Sequence, residues 1–72
     1  MQALDNVAYY VANHDDCWKA AIAEDLGLPE MLVEHALDLM KAQRLIRAGR
    51  YLEGSTHVTW VSPELKRRLR NA

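Results

Sequence analysis

The sequence predicts a small α+β domain, mostly helical, in which a three-helix core is followed by a two-stranded β-hairpin and a short closing helix. Three observations predict it. Val33, Ala36, Leu37 and Met40 recur at i, i+3, i+4 and i+7, the spacing of one buried helical face. The stretch from Leu45 changes to extended character, with LIRAGRYL and THVTWVS separated by Glu53-Gly54-Ser55. Ser62-Pro63-Glu64 then supplies a helix start, serine as N-cap and proline at the first helical position.

The elements follow in order. From Gln2 to about Asn13, Leu4, Val7, Ala8 and Val11 form an apolar stripe, which predicts a first amphipathic helix. Tyr9 and Tyr10 lie off its centre, so that one borders the core and the other meets water, or the pair forms a subunit contact. His14-Asp15-Asp16 reads as a solvated turn. Cys17 and Trp18 fill a short extended stretch, with the cysteine a small buried hydrophobe and the tryptophan either a cap on the core or an exposed contact. A second helix is expected over Lys19 to Leu26, turned inward at Ile22, Ala23 and Leu26, and Gly27 ends it. The third helix runs from Pro29 to about Arg44, with Glu30 at the positive end of its dipole and Lys41 and Arg44 at the negative end. Glu53-Gly54 is the expected hairpin turn, and Gly49 is a candidate for a bulge or a register shift. The closing helix has one apolar edge, Leu65 and Leu69.

Seventy-two residues allow one domain with one modest core. Half of them are hydrophobic and 26% charged, a globular composition. The opening residues lack the basic start and apolar block of a leader, and no apolar run suits a membrane span, so a cytoplasmic chain without membrane contact is expected. A lone cysteine and three scattered histidines suggest neither disulfide nor metal site. No cofactor is expected. The net charge of −1 conceals a division along the chain. Residues 1–40 hold eight carboxylates against Lys19, and residues 41–72 hold eight basic side chains against Glu53 and Glu64. The basic half attracts phosphate or an acidic protein, while the acidic half repels nucleic acid.

The phrase CWKAAIAEDLGL, the helix that follows it and the exit Val61-Ser62-Pro63-Glu64 resemble the winged helix-turn-helix superfamily of small transcription regulators. The resemblance covers nearly the whole chain. It implies that the hairpin is a wing and that the third helix occupies the position that reads DNA bases in the family. That role does not transfer residue by residue. The outward face comprises Met31, Glu34, His35, Asp38 and Ala42, bordered by Leu32 and Leu39, without an amide or a positive charge. Glu30, Glu34 and Asp38 make an acidic row with no basic companion on that face, which would lie against phosphates.

Two expectations follow, and neither is enzymatic, since no nucleophile with its base, carboxylate pair or phosphate loop stands at a usable spacing. In the first, a regulator binds double-stranded DNA through wing and tail, with Arg44, Arg47, Arg50, Lys66, Arg67, Arg68 and Arg70 on backbone phosphates. In the alternative, the third helix docks a protein partner through Met31, Leu32, Glu34, His35, Asp38 and Leu39, in one variant as an acidic imitation of DNA. A homodimer through Tyr9, Tyr10, Leu65 or Leu69 is expected in either case.

Overall fold

A computed structural model describes residues 2–51 and 54–70, with side chains resolved for 5–51 and 54–69. Leu4, Glu53 and Arg70, expected in the first apolar stripe, the hairpin turn and the basic tail, lie outside the described side chains. The element order is α1 (Gln2–Asn13), β1 (Cys17–Trp18), α2 (Lys19–Leu26), α3 (Glu30–Ala42), β2 (Ile46–Arg50), β3 (Thr56–Val61) and α4 (Pro63–Arg70). Every helix begins and ends within two residues of the expectation.

The three strands form one antiparallel sheet in the order β1-β3-β2. The expected hairpin is β2 with β3, and the short extended stretch joins it as a third strand, Cys17 pairing with Val58 and Trp18 with His57. The central strand thereby has partners on both edges at His57 and Val58. No helix among the described residues is long and apolar enough to cross a membrane.

The core lies between the helices and one face of the sheet. Val7 and Val11 of α1, Ile22 of α2, Val33 and Leu37 of α3 and Val58 of β3 are its most fully enclosed side chains. All four members of the diagnostic α3 stripe are buried. Burying one such aliphatic side chain contributes about 1.5 to 3 kcal/mol, so the stripe is a main source of cohesion. Ala8, Leu26 and Leu69 border this core.

Leu65 and Tyr10 correct the expected dimer surface. Leu65 is 4% exposed within its own chain, because α4 folds back under α1 and turns that leucine inward. Tyr10 is half-buried and donates its hydroxyl to Asp25 at 2.6 Å. Tyr9, 61% exposed, is the one of the four side chains that faces solvent freely.

The same backbone motif ends α2 and α3. Gly27 N–H donates to the Glu24 carbonyl and Leu28 N–H to that of Ala23. Arg44 N–H donates to Lys41 and Leu45 N–H to Met40 in the equivalent places. This is the Schellman arrangement, which needs a left-handed residue at its corner. Gly27 takes φ 66° without cost, but Arg44 takes φ 61° and is the described non-glycine residue with positive φ. At the start of α4, Ser62 Oγ accepts the Leu65 N–H at 3.1 Å, the cap read from the sequence.

The hairpin is closed by Tyr51 N–H donating to the Ser55 carbonyl, with Gly54 at φ 77°. Its register shifts between Arg47 and Ala48, so that Trp60 faces Arg47 and Val58 faces Ala48. Thr59 is the extra residue. The bulge therefore lies opposite Arg47, not at Gly49, which pairs regularly with His57.

Candidate functional site

Three of the cations expected on a nucleic-acid surface are engaged inside the molecule. Arg50 reaches from β2 to the outward face of α3, donating to both Asp38 oxygens at 2.9 Å and lying 3.5 Å from Glu34. That hydrogen bond, with the field of Asp38 and then Glu34, pushes the guanidinium above its ordinary pKa. Lys66 donates to Asp15 at 3.0 Å, and Arg68 to Glu64 one helical turn away at 2.8 Å. The acidic row of α3 is therefore not bare, as the sequence reading had it. Its basic companion comes from the neighbouring strand, which helical geometry alone does not reveal.

Lys19 adds a second tie to the same face. Its side chain is buried, its Nζ donates to the Gly54 carbonyl at 2.5 Å, and Glu34 stands 3.9 Å away. The aliphatic stem fills space beneath the hairpin while the ammonium holds the hairpin's end. The acidic turn after α1 is likewise consumed, Asp15 by Lys66 and Asp16 by His57. His14 stacks on Tyr10 with ring centroids 4.1 Å apart.

Of the four described cations left over, three gather at one place and Arg67 stands apart on α4. Lys41 and Arg44, at the end of α3, and Arg47, on β2, have no carboxylate partner among the described residues. Together with Ile46, Ala48 and Trp60 they line an open groove of about 430 Å³. β2 is an edge strand, so the groove runs along an unpaired margin of the sheet. The Arg47 guanidinium lies 5.3 Å from the centre of the Trp60 ring, a cation–π contact that fixes a long side chain in place. Trp60 itself stays 40% exposed. The groove thus combines three positive charges, one of them held against a ring, with an apolar floor and an aromatic wall, which suits a ligand with phosphate or carboxylate groups beside a flat hydrophobic part.

The backbone explains why these residues meet. The strained corner at Arg44 turns the chain sharply from α3 into β2 and directs its side chain to solvent. The bulge at Thr59 then places Trp60 directly across from Arg47. Of the expected cations, Arg44 and Arg47 enter the groove and Arg67 stands exposed on α4. Lys41 and Trp60 were absent from the expected set. A signal for Trp60 existed, since Val58 and Val61 are three apart and break the two-residue alternation that Thr56 and Val58 begin.

On the α3 face, Met31 is 84% exposed and Leu39 and His35 are also open, whereas Leu32 and Glu34 are half-buried. Cys17 is enclosed, and burial, followed by the charges of Asp16 and Asp15, pushes its thiol up to about 11. It is an inert structural thiol at neutral pH. No family model, curated protein or solved structure matches the chain.

Proposed function

We propose that the chain is a non-enzymatic winged-helix regulator that grips the backbone of nucleic acid in the cationic groove at the base of its wing. Supporting the winged-helix reading is the order of helix, strand, two helices and hairpin, with β1 joining the hairpin as the third strand and Gly27 making the tight turn between α2 and α3. The observation that carries the binding reading is the convergence of Lys41, Arg44 and Arg47 around Trp60 without a described carboxylate partner. Phosphates are the chemistry such a cluster attracts, and phosphate contacts position a chain without reading its sequence. Double-stranded DNA was the ligand expected for wing and tail. The groove narrows the expected contact set to Arg44 and Arg47, adds Lys41, and leaves Arg50, Lys66 and Arg68 to internal pairs.

The test is a binding titration at about 50 mM salt and at threefold higher salt, with duplex and single-stranded oligonucleotides. Affinity is expected to fall steeply with salt, and Lys41→Ala with Arg47→Ala to weaken binding to all sequences alike. Absence of binding to both forms at the lower salt overturns the reading.

The exposure of Met31 supports a second reading, in which α3 docks a protein. Met31→Glu or Leu39→Glu is then expected to abolish a complex while leaving the melting temperature unchanged. The ion pairs from Arg50 to Asp38 and Glu34 weigh against the variant in which this face imitates DNA, because they offset the charge it needs.

A further inference from the structure

The solvent face of the sheet extends well beyond the groove. Along β3, Thr56, Val58 and Val61 are buried against the helices, which leaves His57, Thr59 and Trp60 on the opposite face. Trp18 pairs across from His57 on β1, while on β2 Arg47 and Gly49 pair across from Trp60 and His57. The rings of Trp18 and His57 stack with centroids 4.1 Å apart and planes 4° from parallel. Tyr51 leans on Trp18 at 5.5 Å and lies over Gly49, where a Cβ would stand 3.8 Å from its ring. Trp18 is 44% and Tyr51 53% exposed.

The face therefore holds two aromatic platforms, Trp18 with His57 and Tyr51 at one end and Trp60 under Arg47 at the other. His57 and Trp60 are three positions apart on β3, roughly 10 Å at about 3.3 Å per residue. Charge is arranged along the same line. Lys41, Arg44 and Arg47 stand at the Trp60 end, and at the Trp18 end Asp16 is paired with His57.

We infer that this face is a site for an unpaired nucleic-acid strand, with bases stacked on Trp60 and Trp18 and phosphates held from Arg47 toward Arg44 and Lys41. The inference rests on the nucleic-acid reading above and names the form of the ligand. A duplex encloses the faces of its bases in its own stack and offers exposed rings nothing to lie against. An unpaired strand offers one π-face per nucleotide beside one phosphate, the two features that this surface matches. The α3 face has no cation or amide for base edges, and its carboxylates Glu34 and Asp38 are engaged by Arg50.

Both tryptophans of the chain lie on this face, so their emission reports directly on its occupation. The experiment titrates the whole chain with oligo(dT) of about 12 nucleotides, within the span of small single-strand sites, and with a mixed-sequence duplex of the same length. Expected are quenching of tryptophan emission by oligo(dT) and affinity for it about tenfold or more above that for the duplex. Trp60→Leu is expected to lower oligo(dT) affinity about tenfold or more, and Trp60→Phe, which keeps a ring, to retain most of it. Each variant is checked for an unchanged fold by circular dichroism, and Arg47→Ala, a change at an exposed site, gives an independent loss. Duplex bound as tightly as oligo(dT) with tryptophan emission unmoved overturns the inference and leaves the proposed function standing. Binding of neither oligonucleotide overturns both.

Discussion

Arg44→Gly is expected to make the protein more stable and a poorer binder at once. Arg44 occupies the corner that Gly27 occupies one helix earlier, at nearly the same φ, and the hydrogen bonds around it are made by backbone groups that glycine retains. An L-residue in this conformation costs about 1 to 2 kcal/mol. Glycine's greater freedom in the unfolded chain offsets about 0.4 to 1 kcal/mol of the relief. The net gain is about 0.8 kcal/mol, or roughly 3 to 6 °C in melting temperature for a domain of this size. The same substitution removes one cation from the groove, which should weaken binding and lower the slope of log affinity against log salt by about 0.7 for a single strand or 0.9 for a duplex. Gly27→Ala is the control. A Cβ there meets nothing within 4 Å, so its expected loss of about 0.5 to 1 kcal/mol is purely conformational and leaves the salt slope unchanged. Melting curves and a salt series of anisotropy titrations on wild type, Arg44→Gly, Arg44→Ala and Gly27→Ala decide the matter. A destabilised Arg44→Gly refutes the strain argument, and an unaltered salt slope removes Arg44 from the contact.

Other predictions concern the core and the titrating groups. Leu37→Ala, at a site 1% exposed, is expected to cost about 3 kcal/mol, a large share of the roughly 4 to 11 kcal/mol available to a chain of this length; urea midpoints measure it. Tyr10 is pushed up to about 12, first by its hydrogen bond to Asp25, then by burial and the charge of that carboxylate. Its folded pKa lies above the unfolded value near 10, so its contribution to stability is fully present below about pH 10 and is lost as pH rises toward 12. Urea midpoints at pH 9 and pH 11.5 should separate for wild type by more than for Tyr10→Phe. The Cys17 thiol is expected to react with iodoacetamide far more slowly in the native state than in denaturant at the same pH.

Helix periodicity was legible because it is local. The α3 stripe, the serine cap before Pro63 and the glycine corner at Gly27 are each set by neighbours within about one turn, and all three stand where the pattern put them. Long-range pairing was not legible. That the extended stretch Cys17-Trp18 would join the hairpin depended on Val58 and His57, far along the chain, and that Leu65 would face the core depended on how α4 folds back on α1. The candidate site divides along the same line. Arg44 and Arg47 could be named because charge is visible in any sequence. Their relation to Trp60 could not, because a one-residue bulge decides which side chain each strand residue faces. Lys19 shows the same limit, since nothing local marks a lysine that is buried and holds the Gly54 carbonyl 35 residues away.

The split of charge along the sequence has a structural use that the net value hides. Folding brings the halves together: the pairs Lys66 with Asp15 and Arg50 with Asp38 and Glu34 each join an element of one half to an element of the other, and Lys19, beside Glu34, holds the hairpin through the Gly54 carbonyl. Most of these pairs are exposed and contribute little stability singly, but opposite charges on different elements still favour this arrangement over others. Pairing also filters the basic residues. Those whose positions fall near a carboxylate are paired, and of the four described cations left without one, Lys41, Arg44 and Arg47 stand together where α3 turns into β2 while Arg67 stands apart on α4. On the proposed reading, that cluster and the exposed ring of Trp60 are where a polyanion is expected to make first contact.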